Sequence, residues 1–321
     1  MRAMQVTAYD QPLELKELEL PVPGPGEVLV KVETCGLNFG DTLLIKGTYQ
    51  EKPPLPFTIG MELAGTVEGL GEGVEGLSVG QRIASYTGFG GLSEFATIPA
   101  DICVPIPDNM TSVDAAAFLI AYGTSHVALD YKAHLKPGER LLVLGASGGV
   151  GLTAVELGKL MGAEVIACAR GAEKLEICRK AGADHLINSD TDDIRQIVKD
   201  LGGADVVYDP IGGDQFKAAL RACNAEARLL PLGFASGEVP QIPANYLLVK
   251  NLTVLGLYWG GYAKLNPRVL TDSFRTLFDW YAEGKLTPHV SNVLPLVEAN
   301  AGLDLLRTRK ATGKVVIEVN G

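Results

Sequence analysis

A glycine-rich segment, residues 146–151 (ASGGVG), follows an apolar run and precedes a run with helical spacing. Gly148 and Gly149 would let the main chain approach a pyrophosphate, which the N–H groups and positive dipole end of the helix would attract. The strict G-x-G-x-x-G pattern is not met, because Ala146 stands at its first position, but the context of strand and helix is the required one. The segment therefore predicts a dinucleotide-binding loop, the alternative being a purely structural glycine turn. The residues expected at the phosphates are Ser147, Gly148, Gly149 and Val150.

Two basic residues follow the next predicted strand, residues 164–169. Sites for NAD carry an Asp or Glu near this point, about 20 residues after the glycines, where it bonds the ribose hydroxyls. Here Arg170 follows the strand instead, and Lys174 lies one helical turn further on. A guanidinium and an ammonium attract the 2′-phosphate that a carboxylate would repel. The two residues favour NADPH over NADH, the alternative being that both are ordinary surface cations.

The order of strands and helices indicates the scaffold that must position these loops. The first third of the chain has short strands and glycine-rich turns, which are typical of a small barrel or sandwich. The pattern changes near residue 112, and from Arg140 onward apolar strands alternate with helices. Such alternation indicates a parallel sheet that is covered on both faces. The predicted class is α/β, with a β-rich domain and a doubly wound parallel sheet.

The overall composition argues against several classes of function. The 321 residues include 28 Lys and Arg against 38 Asp and Glu, which gives a formal charge of −10. This surface repels phosphate polymers and anionic lipid, so neither nucleic acid nor a membrane is expected as a partner. The N-terminal residues lack the apolar stretch of a secretory signal. Five scattered cysteines, an odd number without C-x-x-C spacing, favour a reduced, cytoplasmic protein.

Six short motifs extend this interpretation from single loops to the whole chain. They are residues 36–41 (GLNFGD), 46–49 (KGTY), 60–67 (GMELAGTV), 91–95 (GLSEF), 145–151 (GASGGVG) and 311–314 (ATGK). With these motifs the sequence resembles the medium-chain dehydrogenase/reductases, and within them the zinc-free quinone oxidoreductase (zeta-crystallin-like) branch. The resemblance implies a GroES-like catalytic domain at residues 1–121 and 261–321. It implies a Rossmann dinucleotide-binding domain at residues 122–260.

Zinc-dependent members of that family hold a catalytic metal with a Cys, a His and a second Cys. The resemblance aligns these positions with Asn38, Met61 and approximately Ile120. An amide oxygen, a thioether and an alkyl group cannot replace thiolate and imidazole at a Zn²⁺ site. The four-cysteine structural zinc lobe is also missing from the sequence. No metal is therefore expected in this chain.

Without a metal, the site must work by positioning and electrostatics. Hydride transfer to a quinone or enone places negative charge on oxygen, which needs a hydrogen-bond donor or a proton. The resemblance places Asn38 and Asp41, which form an N-x-x-D element, in the cleft beside the nicotinamide. It also matches Tyr49 to the proton-donating tyrosine of related enoyl-thioester reductases. Asp41 would orient its neighbours, while Tyr49 would donate a proton or serve only as an aromatic cap on the cleft.

Further contacts with the cofactor are expected in both predicted domains. Thr124 would either bond the cofactor or simply cap a helix. Ser189 stands where some relatives place a tyrosine against the 2′-phosphate, and Lys310 matches a basic residue near the family's C-terminus. The carboxyl ends of parallel strands face the cleft of such a sheet. The residues expected from those strand ends are Asp209, Gly212, Gly233, Phe234, Leu257 and Tyr258.

The leading hypothesis is an NADPH-dependent, zinc-free reductase that acts on a quinone or an activated alkene. An enoyl-thioester reductase is the alternative with related chemistry. A non-catalytic, crystallin-like protein that only binds NADPH is the alternative of another class. Residues 252–257 (LTVLGL) are predicted to form an apolar strand at the edge of the Rossmann sheet, which invites pairing across a two-fold axis. Since family relatives dimerise in this way, a homodimer is expected.

Overall fold

The computed structural model describes residues 1–320 and divides into two compact units. Unit 1 comprises Met1–Ile120 and the C-terminal segment from Thr287 onward, and unit 2 comprises Ala121–Leu286. Each unit has a core of its own, as expected for independent hydrophobic clusters. Among the helices of residues 1–320, none combines the length and apolar character that crossing a bilayer requires.

Sixteen β-strands and eleven α-helices are found in the described residues. The strands are β1 Arg2–Val6, β2 Glu14–Glu17, β3 Glu27–Leu37, β4 Phe57–Thr58, β5 Glu62–Leu70, β6 Arg82–Tyr86, β7 Phe95–Pro99, β8 Cys103–Pro105, β9 Arg140–Leu144, β10 Glu164–Ala169, β11 His185–Asn188, β12 Ala204–Asp209, β13 Cys223–Pro231, β14 Thr253–Val254, β15 Val290–Pro295 and β16 Lys314–Glu318. The helices are α1 Phe39–Ile45, α2 Ser112–Ala116, α3 Leu119–His126, α4 Gly149–Leu160, α5 Ala172–Lys180, α6 Ile194–Asp200, α7 Gly213–Ala222, α8 Ala244–Lys250, α9 Tyr262–Leu265, α10 Pro267–Ala282 and α11 Ala299–Arg307.

Unit 1 is built on a seven-stranded sheet. Its strands follow the order β15-β16-β3-β5-β6-β8, and β7 also pairs with β3. A second sheet has the order β2-β1-β4. The long strand β3 alternates apolar and polar residues, so that Val28, Val30 and Val32 are fully buried. The strand β16 pairs antiparallel with β3, with Val315 opposite Leu37, which places the start of β16 beside the start of α1.

Unit 2 is built on a six-stranded, wholly parallel sheet with the order β11-β10-β9-β12-β13-β14. Counted along the chain this order is 3-2-1-4-5-6, which is the arrangement of a doubly wound dinucleotide-binding domain. Strands β9, β10 and β12 are apolar and largely buried, as strands with both faces covered must be. The predicted α/β class, a β-rich domain with a doubly wound parallel sheet, is confirmed.

The structure differs from the sequence analysis on the segment 261–286, which was assigned to the GroES-like domain. The segment lies in unit 2, and α10 is its main element. The apolar face of α10 buries Leu270, Phe274 and Leu277, and the Phe274 ring packs edge-on against Trp259. Because these partners belong to unit 2, burial of this face decides where the helix lies.

The predicted edge strand at residues 252–257 is also shorter than expected. Only Thr253 and Val254 form β14, although the Leu255 N–H still donates to the Leu229 carbonyl at 2.8 Å. Gly256, which lies next, weakens an extended strand because it adds backbone entropy and no packing side chain. Leu257 therefore lies beyond the end of the strand.

Candidate functional site

A buried ion pair forms the centre of the polar residues in unit 1. Lys314, the first residue of β16, places its ammonium 2.7 Å from Glu62 Oε1, and both side chains are at most 5% exposed. The same ammonium donates to the Leu37 carbonyl at 2.9 Å and to Asn38 Oδ1 at 2.7 Å. The second Glu62 oxygen accepts the Ile120 N–H at 2.9 Å. A buried charge needs this degree of partnering, because desolvation is otherwise too costly.

Asn38 is fixed by this pair rather than free to turn toward a ligand. Its Nδ2 donates to Glu62 Oε1 at 2.9 Å and to the Gly36 carbonyl at 3.2 Å, while its Oδ1 accepts from Lys314. An amide has two N–H donors, and both are directed to protein acceptors. The arrangement favours a positioning role for Asn38. Sequence reasoning found Asn38 but missed Glu62 and Lys314, although both stand inside motifs that carried the family resemblance.

Asp41 is fully buried in the first turn of α1, and its carboxylate accepts the Asn38 N–H at 2.8 Å. Its second oxygen, Oδ1, has no hydrogen-bond partner among the described residues. Burial raises the pKa of Asp41 to about 7, against the opposing effects of the Asn38 N–H and the Lys314 charge. The carboxylate also fixes the backbone of Asn38 at the start of α1.

This raised pKa predicts a pH dependence of stability. A carboxyl group whose pKa is higher in the folded than in the unfolded protein stabilises the fold when protonated. Its contribution is fully present below the ordinary pKa of 3.8 and is lost as the pH rises to about 7. Asp41→Asn, which stays neutral, should remove a downward slope of up to about 1.4 kcal/mol per pH unit across this window.

Urea unfolding of both proteins at several values between pH 5 and 8 measures that slope. The comparison uses the difference between the two proteins, because exposed carboxylates contribute equally to both. Parallel curves for wild type and Asp41→Asn would show that Asp41 does not titrate in this range.

Tyr49 lies in the loop after α1, half-buried against the core of unit 1. A Cβ added to Gly40 would lie 3.5 Å from Tyr49 Cε2 and 2.7 Å from Met61 Sδ. The tyrosine ring and the thioether thus both lie close to the half-buried Gly40, the second residue of α1. The structure brings Asn38, Asp41 and Tyr49 into one region of unit 1, since all three belong to α1 or its flanking turns.

The positions that align with zinc ligands also meet in unit 1. Asn38 and the Ile120 main chain both hydrogen-bond Glu62, and Met61 precedes it in the chain. In residues 1–320 no three His, Cys, Asp or Glu side chains lie together in a metal-binding arrangement. The amide, thioether and alkyl side chains do not form the donor set that Zn²⁺ requires. The absence of zinc stays a prediction.

In unit 2, the glycine-rich loop connects β9 to α4, the first turn from strand to helix in the parallel sheet. A Cβ on Gly151 would overlap the Gly145 carbonyl oxygen, so glycine is needed for the close packing of helix on strand. Gly148 precedes the helix, and no side chain caps the first N–H groups of α4. These N–H groups lack helical carbonyl partners, and Gly148 leaves the approach to them clear. The loop therefore fits a pyrophosphate.

A network of buried hydroxyl groups bonds to the main chain of this loop at Val150. Ser125 Oγ donates to the Val150 carbonyl at 2.9 Å and lies 2.8 Å from both Thr153 Oγ1 and Tyr208 Oη. Thr153 in turn donates to the Ala121 carbonyl at 3.1 Å. Sequence analysis named the neighbouring Thr124, which is half-buried in α3, and missed Ser125. Ser125, Thr153 and Tyr208 lie far apart in the chain, so their spacing in the sequence does not show that their hydroxyl groups meet.

The expected 2′-phosphate residues lie at the carboxyl ends of β10 and β11. Arg170 follows β10, and its Nε lies 3.0 Å from Asp190 Oδ1, in the loop after β11. Lys174 is half-buried in the first half of α5, and Ser189 donates its N–H to the Ala169 carbonyl at 2.9 Å. The sequence has no acid directly after β10, where Arg170 and Gly171 stand. The structure brings one there from the next strand.

The other expected cofactor residues lie near strand ends in unit 2, apart from Lys310, which lies in unit 1. Gly233 and Phe234 follow β13 at the same end of the sheet as the glycine-rich loop, and Leu257 lies three residues after β14. Buried Asp209, at the end of β12, accepts the Ile211 and Gly212 N–H groups and fixes the neighbouring turn. Burial raises the pKa of Asp209 to about 6. Lys310 is exposed after α11 and belongs to unit 1.

Comparison with known proteins agrees with this division of the chain. The family "Zinc-binding dehydrogenase" matches residues 149–283, and "Alcohol dehydrogenase GroES-like domain" matches residues 24–108. The chain is 41% identical over 300 residues to a quinone oxidoreductase-like protein 2 homolog of Nematostella vectensis, covering 92% of this chain and 82% of the relative. It is 37% identical to quinone oxidoreductase-like protein 2 of Mus musculus, covering 99% of this chain and 92% of the relative.

Among solved structures, an Escherichia coli quinone oxidoreductase complexed with NADPH superposes with a TM-score of 0.93. The two sequences are 28% identical, and the match covers 99% of this chain and 100% of the other. Fold, domain matches and sequence identity over nearly full length thus agree. The chain belongs to the medium-chain dehydrogenase/reductases, in their quinone oxidoreductase-like branch.

Proposed function

We propose that this chain is an NADPH-dependent oxidoreductase that transfers hydride to a quinone or an activated alkene. The observation that carries the proposal is the glycine-rich loop at the first turn of a 3-2-1-4-5-6 parallel sheet, with a guanidinium at the end of the adjacent strand. The NADPH that the Escherichia coli relative binds supports the same cofactor here.

The proposed cofactor contacts follow from the chemistry of each group. Main-chain N–H groups at residues 147–150 would hold the pyrophosphate, and Thr124 and Lys310 would add further bonds. Arg170, Lys174 and Ser189 would bind the 2′-phosphate, while Gly233, Phe234 and Leu257 would contact the nicotinamide half. The bound cofactor would supply the hydride. The protein must then stabilise charge on the acceptor, for which we propose Tyr49 as proton donor, with Asp41 and Asn38 holding its surroundings.

Absorbance at 340 nm tests the proposal directly. The purified protein is mixed with NADPH and, in separate assays, with 1,4-benzoquinone, with crotonyl-thioester, or with no acceptor. Faster loss of absorbance with the quinone supports the proposed reaction. Faster loss with the thioester favours an enoyl-thioester reductase, and no loss with either acceptor favours a protein that only binds NADPH.

Removal of the Arg170 guanidinium should weaken NADPH binding more than NADH binding. A hydrogen bond to a charged group is worth about 1.5–3 kcal/mol when buried and less when exposed, so we expect about a tenfold rise in the NADPH dissociation constant. NADH lacks the phosphate, so its constant should change by about twofold or less. Fluorescence titration of Arg170→Ala with each cofactor measures both constants. Arg179→Ala removes an equal charge from the end of α5 and is the control. Equal losses for both cofactors would exclude a contact of Arg170 with the phosphate.

We also propose a homodimer that forms through the free side of β14. This strand ends the sheet order, and the neighbouring helix α8 exposes Leu248 and Val249 at 80% and 74%. Unpaired strand edges and exposed apolar side chains are both features of surfaces that associate. Light scattering at micromolar concentration should give twice the chain mass of 34.0 kDa. A mass equal to one chain would exclude the dimer.

We propose a cytoplasmic location, because the five cysteines are odd in number, scattered and without C-x-x-C spacing. All five are buried with free thiols. A reducing compartment keeps such thiols in this form.

A further inference from the structure

The adenine end of the proposed cofactor site contains an acid as well as a base. Arg170 Nε and Asp190 Oδ1 are 3.0 Å apart, with side chains 55% and 48% exposed. Strands β10 and β11 are parallel neighbours, and Ala169 is in register with Asn188. Arg170 comes directly after the first of these residues and Asp190 two positions after the second, so the topology brings both side chains to one edge of the sheet.

The surrounding main chain holds the two residues in place. The Oδ1 atom of Asn188 accepts the Gly171 N–H at 3.1 Å and the Asp190 N–H at 3.2 Å. One side chain thus ties the residue after Arg170 to the backbone of Asp190. The Asn188 N–H donates in turn to Asp192 Oδ2 at 2.8 Å. These bonds hold the backbone on both sides of the ion pair, and the two half-exposed side chains meet between them.

This arrangement makes two anions compete for one guanidinium. The 2′-phosphate of NADPH carries close to two negative charges and needs charge-assisted bonds from Arg170. The Asp190 carboxylate already holds the Nε edge of that group, and the phosphate would be brought close to it. NADH has a neutral 2′-hydroxyl there, which repels no carboxylate and can donate a hydrogen bond to one.

We propose that Asp190 is a cofactor-selectivity residue, whose carboxylate occupies Arg170 and thereby weakens binding of NADPH relative to NADH. The inference rests on the proposed function, because it concerns the same cofactor site. Its consequence is a protein that uses NADPH but discriminates less strongly against NADH than Arg170 alone would permit.

Fluorescence titration with NADPH and with NADH tests the proposal on wild type and three variants, without any acceptor present. Asp190→Asn should lower the NADPH dissociation constant by up to about fivefold, the scale of an exposed ion pair, and leave the NADH constant equal or higher. Asp200→Asn removes the same charge at the end of α6, away from this loop, and should change neither constant. When Asp190→Asn is added to Arg170→Ala, the NADPH dissociation constant should fall by only about twofold or less relative to Arg170→Ala alone.

The outcomes separate the two proposals. Wild-type protein that binds neither cofactor at millimolar concentration would overturn the proposed function and this inference with it. NADPH binding that Asp190→Asn leaves unchanged would overturn the inference alone. A full gain that persists without Arg170 would also overturn it, because Asp190 would then act by direct repulsion rather than by occupying the guanidinium.

Discussion

Tyr49→Phe should lower the turnover of an activated alkene by roughly 10²–10⁴-fold, which is the usual contribution of general-acid catalysis. After hydride reaches one carbon of an alkene, a proton must reach the other carbon or the enolate oxygen. Both N–H donors of Asn38 are engaged by Glu62 and Gly36, so we do not expect Asn38 to supply this proton. Because the phenyl ring is retained, its packing on Gly40 is kept and NADPH binding should be unchanged.

The same variant should lose little activity with a quinone, because the reduced quinone oxygens take protons from water. Both reactions are measured at saturating NADPH. Tyr9→Phe is the matched control, since Tyr9 packs on Gly47 beside the same turn and loses the same hydroxyl. A large fall in quinone turnover with unchanged alkene turnover would exclude Tyr49 as the proton donor.

Lys314→Met should reduce the free energy of unfolding by about 3–5 kcal/mol, as expected when one partner of a buried ion pair is removed. The Glu62 carboxylate would remain buried with only the Asn38 and Ile120 N–H groups to offset its charge. A double variant that adds Glu62→Gln should recover most of the lost free energy of unfolding, because no uncompensated charge is then left in the interior. Urea unfolding followed by far-UV circular dichroism, to which the strands and helices of both units contribute, measures the loss.

Lys285→Met provides a control for the loss of a lysine charge. Lys285 pairs with Glu283 on the surface, with both side chains about half exposed, and its removal should cost less than about 1 kcal/mol. Trp259 and Trp280 both lie in unit 2, so tryptophan fluorescence monitors that unit separately. A loss below about 1 kcal/mol for Lys314→Met would show that the ion pair does not hold unit 1 together.

Several features could be predicted because their signals are local in the chain. The glycine-rich loop lies within seven consecutive residues, and the strand before it and the helix after it are each readable from hydrophobic spacing. The alternation of apolar strands and helices predicted a parallel sheet, because such strands are covered on both faces. Asn38, Asp41 and Tyr49 also fall within 12 residues, so their proximity in unit 1 follows from one helix and its flanking turns.

The packing of α10 and the length of the strand at residues 252–257 differ from the prediction. The sequence shows the hydrophobic pattern of an element but not the element that it packs on or pairs with. The apolar face of α10 showed that this helix must pack on something, and the structure identifies that partner as unit 2. The strand expected at residues 252–257 has the right apolar pattern, yet only two of its residues pair. Pairing depends on the neighbouring strand, which hydrophobic pattern does not specify.

The fold class, the glycine-rich loop and the N-x-x-D element could be predicted from the sequence, because the signals for each lie among near neighbours in the chain. The partners of these residues are set by tertiary contacts. Lys314 meets Glu62 across 252 positions, and Asp190 reaches Arg170 because two parallel strands end side by side. The physical reason is that a charge is stabilised by whichever groups lie within a few ångströms of it, and sheet pairing brings distant segments within that range.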